Sequence, residues 1–365
     1  MKLLIEPSDG VAPLVQAIEK AKNRIEIAIF RFDRHEIEKA LENAVGRGVS
    51  VQALIAYTNR GGEQNLRKLE MRLLEAGVTV ARTANDLTRY HGKYMIVDRR
   101  DLYVLSFNYT RLDIDYSRGF GVITRNRRLV QEAAKLFEAD AKRQPYEAGQ
   151  HDLVVSPANA RSELAQFIRG ARKELLIYDP EVGDAAMIRE LADRSRAGVE
   201  IKIIGRLSRR SVKFPVKQLS GLRLHTRSII RDGRRAFIGS QSLRDMELEA
   251  RREVGIIIRE PKIVASLMRT FQEDWVAADR PAPPIEKEGP PPARKVAKRV
   301  AKAVAKELPP VTSVLEVVVK ELAGAGQTAT LDSEVVEQTV KEAVKEAVQE
   351  AVLSVVEQNG LGEPK

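Results

Sequence analysis

The chain has 365 residues, 43% of them hydrophobic, with 61 Lys and Arg against 51 Asp and Glu, a formal charge of +10 and no cysteine. That length and apolar content suffice for two ordinary domains with real cores, and the absence of cysteine excludes disulfides and thiolate metal sites. The basicity points to a polyanionic partner: nucleic acid, an anionic membrane face or phosphate esters. Residues 281 to 365 hold 11 basic and 13 acidic side chains, so residues 1 to 280 carry a net charge of +12. The apolar stretch after Met1 is too short for a signal peptide, and no run nears the roughly 18 apolar residues of a membrane span. A soluble, non-secreted, cytoplasmic chain is expected, with peripheral visits to a membrane allowed.

In chain order, the same pattern of elements occurs twice. An amphipathic helix (Val11 to Lys22) leads into an apolar strand (Ile25 to Phe30), then a second helix closing on a Gly48-Val49 turn into another strand. A strand from Tyr94 to Val97, one from Tyr103 to Ser106, one from Phe120 to Ile123 and a closing helix complete the first set. The second set repeats it with Ser162 to Ala171, Leu175 to Tyr178, a Gly198-Val199 turn, a strand after His225, Ala236 to Ser240, Val254 to Ile258 and a closing helix bearing Trp275, a candidate core anchor. Apolar strands without alternation, separated by amphipathic helices, predict sheets covered by helices on both faces. The expected fold is therefore α/β, two α-β-α repeats (residues 1–145 and 151–280) packed about a pseudo-twofold axis with one site at their interface.

The tail differs. Six prolines between Pro281 and Pro292 mark a linker over residues 281–293. Residues 294–365 then read as a largely helical or partly disordered amphipathic appendage, beginning with a basic segment from Arg294 to Lys306 and ending in a stripe of valines from Val336 to Val352. Self-association through these helices and docking on a membrane surface are the two functional readings it leaves open.

Two of the four histidines lead one spacing pattern, H-x-[K/R]-x4-D: His91, Lys93 and Asp98, then His225, Arg227 and Asp232. An extended chain would place each His and its basic partner on one face of a short strand. His35 and His151 lie in no motif and read as ordinary half-buried polar residues. Gly239-Ser240-Gln241-Ser242 and then Glu253 follow the second motif; Leu105-Ser106-Phe107-Asn108 and then Gly119 follow the first.

These residues resemble the phospholipase D superfamily, in which H-x-K-x4-D usually occurs twice, followed by G-S-x-N and an acid-bearing final strand. The resemblance covers about residues 1 to 280. It departs at Arg227 for Lys, Ser242 for Asn, Leu105 for Gly, and Gly119 where the second repeat has Glu253. It implies a metal-independent phosphodiesterase or phosphatidyltransferase, cardiolipin synthase-like, that needs no cofactor and works through a phosphohistidine. One histidine would attack phosphorus and the other protonate the leaving alkoxide. Lys93 and Arg227 would clamp the non-bridging oxygens, joined by Ser106, Asn108, Ser240 and Ser242. Asp98 and Asp232, within the motif, would support loops.

The asymmetry between repeats suggests roles. With Glu253 beside it, His225 would favour imidazolium and serve as the acid, whereas His91, facing Gly119, would stay neutral and attack. Asp113 or Asp115 could instead orient His91. The preferred partner is a phospholipid or anionic membrane surface. A nuclease and a catalytically weak phosphate- or lipid-binding protein are the alternatives.

Overall fold

The computed structural model describes residues 1–57, 63–208 and 213–278, together with Val348. The chain divides into two compact units, Met1–Ala282 and Pro283–Lys365. Apart from Val348, the linker and tail helices expected over 281–365 lie outside the described residues, as do 58–62, 209–212 and 279–280.

The first repeat runs β1 (Lys2–Glu6), α1 (Ala12–Glu19), β2 (Arg24–Ile29), α2 (His35–Gly46), β3 (Ser50–Ile55), α3 (Glu63–Glu75), β4 (Thr79–Arg82), β5 (Arg89–Tyr90), β6 (Tyr94–Val97), β7 (Asp101–Leu105), α4 (Arg111–Asp115), β8 (Ser117–Thr124) and α5 (Arg127–Lys142). The second runs β9 (Leu153–Val155), α6 (Ala160–Arg169), β10 (Glu174–Val182), α7 (Ala185–Arg196), β11 (Glu200–Leu207), β12 (Val216–Lys217), β13 (Arg223–Leu224), β14 (Arg227–Arg231), β15 (Arg235–Gly239), α8 (Asp245–Glu249), β16 (Arg251–Arg252), β17 (Val254–Ile258) and α9 (Pro261–Ala277). One sheet has the order β1-β8-β7-β6-β2-β3-β4, the other β12-β11-β10-β14-β15-β17-β9.

Helices cover both faces of each sheet, as the unalternated apolar strands require. In β2, Ile25, Ile27 and Ile29 face an outer core shared with α1, α2 and α3, while Ala28 faces inward. The inner faces of both sheets, with α5 and α9 between them, form one central core that includes Tyr94, Phe120, Tyr178 and Phe271. Trp275 stacks on Phe271 there, with ring centroids 5.8 Å apart. The second sheet's outer face packs on α6 and α7. Gly48 and Gly198, both at positive φ, let α2 and α7 turn into the next strand where a Cβ would be strained.

The repeats also exchange short ladders. β16 pairs in parallel with β5, so that Arg252 lies opposite Tyr90, and β13 pairs in parallel with β8, so that Leu224 lies opposite Arg118. In each case the residues just ahead of a motif histidine pair into the other repeat: β5 with residues just ahead of β17, and β13 with the first residues of β8. This exchange determines which side chains meet at the site.

Candidate active site

His91 and Lys93 do not lie on a strand, contrary to the sequence expectation: β6 begins at Tyr94, and His225 likewise precedes β14. The exchanged ladders hold them instead. The His91 N–H donates to the Arg252 carbonyl at 2.7 Å, and the N–H groups of His225 and Thr226 donate to the Arg118 carbonyl at 3.3 and 3.0 Å. An extended backbone still puts each basic side chain beside its own histidine. Lys93 Nζ donates to the His91 carbonyl at 2.7 Å, and the Arg227 guanidinium does the same to His225 at 2.6 Å.

The carboxylates arrive crossed. Because Arg252 lies opposite Tyr90, the following Glu253 faces His91, with its two carboxylate oxygens 2.9 and 2.8 Å from Nδ1. This corrects the expectation that Glu253 lies beside His225, and it removes the reason given there for calling His225 the acid. A carboxylate accepts, so His91 Nδ1 carries the proton, and Nε2 is left with a lone pair that receives Lys93 Nζ at 2.7 Å. At the mirror position Gly119 has no side chain, and a Cβ there would lie 2.8 Å from the Phe107 ring. His225 is served from α4, where Asp113 Oδ2 stands 3.5 Å from Nε2. Asp113 therefore supports His225 rather than His91, and Asp115 pairs with Arg34 at 2.6 Å.

Both histidines and Lys93 are buried. Burial, followed by the field of Lys93 and Arg227, holds His91 well below the usual imidazole range. Burial and then Arg227 do the same to His225, with Asp113 opposing. Since the second repeat's Arg227 acts on His91 and the first repeat's Lys93 acts on His225, the two motifs share one electrostatic field. Burial also pushes Glu253 up and Lys93 well down, each offset in part by the other. The Phe30 ring meets His91 edge-on at 4.5 Å.

Residues 14–141 and 164–275 match the family model described as "Cardiolipin synthase, PLD-like domain". The chain belongs to this phospholipase D-like family. Its superfamily comprises phosphodiesterases and phosphatidyltransferases. Among solved structures, phosphatidylserine synthase from Haemophilus influenzae Rd KW20 superposes with TM-score 0.58 at 11% identity, covering 76% of this chain and 86% of the other. Polyphosphate kinase from Porphyromonas gingivalis gives TM-score 0.63 at 20% identity over 75% of this chain, which spans only 50% of the kinase. Nuc from Salmonella typhimurium, a phospholipase D family member, gives 0.36 at 22% identity, over 40% of this chain and 99% of Nuc. At these identities the likenesses speak to the fold alone. No curated protein matches the chain.

The remaining motif residues of this phospholipase D-like chain occupy distinct places. Asp98 and Asp232 stand at left-handed turns, φ 52° and 54°, at the far ends of β6 and β14. Each accepts three consecutive backbone N–H groups, Lys22 to Arg24 for one and Arg172 to Glu174 for the other. They tie loops together and do not touch the histidines. The Ser106 hydroxyl accepts the Phe120 N–H at 2.9 Å and the Ser240 hydroxyl accepts the Val254 N–H at 3.1 Å. Ser240 also bonds Glu253, and Ser242 accepts from Arg227 at 3.2 Å and bonds Asp179. These two serines thus brace site residues, a role the sequence reading did not give them. Asn108 donates its backbone and side-chain N–H to Asp113 at 2.9 and 2.6 Å. His35 and His151 are exposed rather than half-buried.

The sequence reading missed Asp179 and Glu247. Glu247 binds Arg251 at 2.8 Å, and Arg251 approaches Glu253 at 4.0 Å. A signal existed: Glu247 follows Ser242 by the same interval at which Asp113 follows Asn108, so aligning the repeats pairs the two acids.

Proposed function

We propose that the protein is a metal-independent phosphodiesterase or phosphatidyltransferase acting on phospholipid through a phosphohistidine. The observation that carries this reading is the Glu253–His91–Lys93 chain, which leaves His91 Nε2 as a lone pair in the site. Nε2 attacks phosphorus, the ester bond to the leaving alkoxide breaks, and His225, protonated once the substrate's negative charge offsets the field of Arg227 and Lys93, supplies that oxygen with its proton. Water or an alcohol then attacks the phosphohistidine while His225 takes the proton back, restoring both rings. Lys93 and Arg227 neutralise the charge that gathers on the non-bridging oxygens, with the hydroxyl of Ser106 and the second amide proton of Asn108 as further donors.

The lipid substrate is favoured by exposed apolar side chains on the two short helices that carry Asp113 and Glu247: Leu112 and Tyr116 on and just after α4, and Met246 on α8. Acyl chains suit such side chains better than a sugar-phosphate backbone does. We assign the repeats to 1–145 and 151–280, with 281–365 dispensable for the chemistry.

Anionic vesicles with ethanol, and separately plasmid and oligonucleotide, test the reading in EDTA. The expected result is phosphatidylethanol alongside phosphatidic acid, reduced by at least roughly 10⁴-fold in His91→Ala and in His225→Ala, and unchanged in a chain ending at Ala282. Nicked DNA with untouched lipid would replace the substrate by nucleic acid. Loss of activity in EDTA, restored by a divalent ion, would overturn the mechanism, and inertness toward both substrates would leave a phosphate- or lipid-binding protein.

A further inference from the structure

A second basic site lies at the opposite end of the second motif strand. β14 starts at Arg227, in the candidate active site, and ends at Arg231, where the turn into β15 places Arg235 directly opposite in register. Like charges facing each other across a ladder destabilise it. Neither guanidinium has a carboxylate partner among the described residues. Arg231 donates to the Phe167 carbonyl at 2.9 Å and lies over the Phe167 ring, 4.8 Å from its centroid. Both arginines are only partly exposed.

They line a groove of about 410 Å³ with Phe167, Gly170, Ile257 and Arg259. A Cβ at Gly170 would collide with the Arg231 guanidinium, which would have to move aside. The two carboxylates at the groove are already engaged. Asp152 holds Arg259 at 2.7 Å and Glu163 holds His151 at 2.7 Å. Burial, then repulsion from Arg235, pulls Arg231 below the usual guanidinium range; the neighbouring Asp232 carboxylate opposes the shift and Arg259 adds to it.

The first repeat shows how the same place looks without this charge. There Val97 lies opposite Asp101, and Asp101 pairs with Arg125 at 2.5 Å. The second repeat puts Arg231 at the place of Val97, Arg235 at that of Asp101 and Arg259 at that of Arg125. A neutral corner has become one with three arginines, of which Asp152 pairs with Arg259 while Arg231 and Arg235 have no ion-pair partner among the described residues.

We propose that this groove is an anion site, taking inorganic phosphate or the terminal phosphate of a monoester between Arg231 and Arg235, separate from the phosphodiesterase centre. Two forked guanidinium groups match a tetrahedral oxyanion, and the bound charge relieves the cross-strand repulsion. Phe167 and Ile257 offer apolar flanks to the rest of a monoester.

Calorimetric titration of the full chain at low salt with inorganic phosphate, and in a second arm with glycerol 1-phosphate, tests this. Arg235→Asp, which restores the charge pattern of the first repeat, should weaken phosphate binding by at least roughly tenfold, raise the melting temperature of the unliganded protein and leave phosphodiesterase turnover unchanged. His91→Ala, which removes turnover, should keep the arginine-dependent binding, so the two proposals fail separately. Tighter binding of the monoester assigns the ligand as a phosphate ester, and equal binding assigns free phosphate. Should Arg235→Asp not fold, Arg235→Gln replaces it. Phosphate affinity within twofold of wild type in the folded variant, or no phosphate binding by His91→Ala, overturns the proposal.

Discussion

At the scale of single residues, the chemistry turns on which nitrogen of His91 holds a proton. In the proposed reaction Glu253 acts through His91 and is a positioning residue. Its carboxylate accepts from Nδ1, and Lys93 tolerates deep burial partly because that same carboxylate is near. Replacing it by an isosteric amide allows the ring to take the other tautomer. Glu253→Gln should therefore lower kcat by roughly 10²- to 10⁴-fold with KM little changed, and Glu253→Asp should recover part of the loss. A merely structural role would instead lower the melting temperature while kcat of the folded fraction stayed near wild type. The sequence made His91, Lys93, His225, Arg227 and Glu253 legible as a set, because spacing within a motif is local. It did not make the pairing legible. Which carboxylate meets which histidine depends on ladders between residues far apart in the chain, and no local pattern encodes a crossing.

Among the elements, α4 and β8 carry the asymmetry of the molecule. Gly119 lies where the second repeat has Glu253, and the Phe107 ring fills the space its side chain would need. Any side chain at 119 must displace that ring from a packed core. Gly119→Ala should destabilise the protein by about 1–3 kcal/mol, and Phe107→Leu in the same chain should restore part of it, as thermal unfolding of the two variants would reveal. Full additivity of the two changes would show that they do not contact. The central strands of each sheet and helices α1, α2, α5, α6, α7 and α9 were readable from apolar periodicity and Gly-Val turns, since these elements are buried on both faces or amphipathic, whereas β1, β4, β9, α3, α4 and α8 were not read. The two-residue strands β5, β13 and β16 were not, because such short pieces have no period and exist only through their partners.

For the whole molecule, the buried ionisable groups make stability depend on pH in opposed directions. His91 and His225 resist protonation in the native state, so the unfolded chain binds more protons below the ordinary imidazole value near 6.5 and stability falls as the solution is acidified. Glu6 does the reverse. Burial, with help from Asp9 and Asp115, pushes it up to about 8, so it stays protonated when folded but ionises near 4.5 when unfolded. Its contribution is fully present below pH 4.5 and is lost as the pH rises towards 8. Glu6→Gln keeps an acceptor for the Gly10 N–H, which Glu6 receives at 2.8 Å, and removes the titration. Above pH 8 the variant should be more stable than wild type by on the order of a few kcal/mol, converging with it below pH 5. Parallel stability curves for the two proteins would place the titration elsewhere.

The crossed carboxylates also impose an order on the life of the chain. Glu253 leaves the ribosome 162 residues after His91, an interval of roughly 10–30 s at about 5–20 residues per second. Throughout that time the first repeat holds a histidine and a lysine whose counter-charge does not yet exist, alongside an apolar sheet face whose partner is still unmade. On the proposed mechanism a nascent first repeat is inert toward phosphodiesters, and competence arrives only with the final strands of the second.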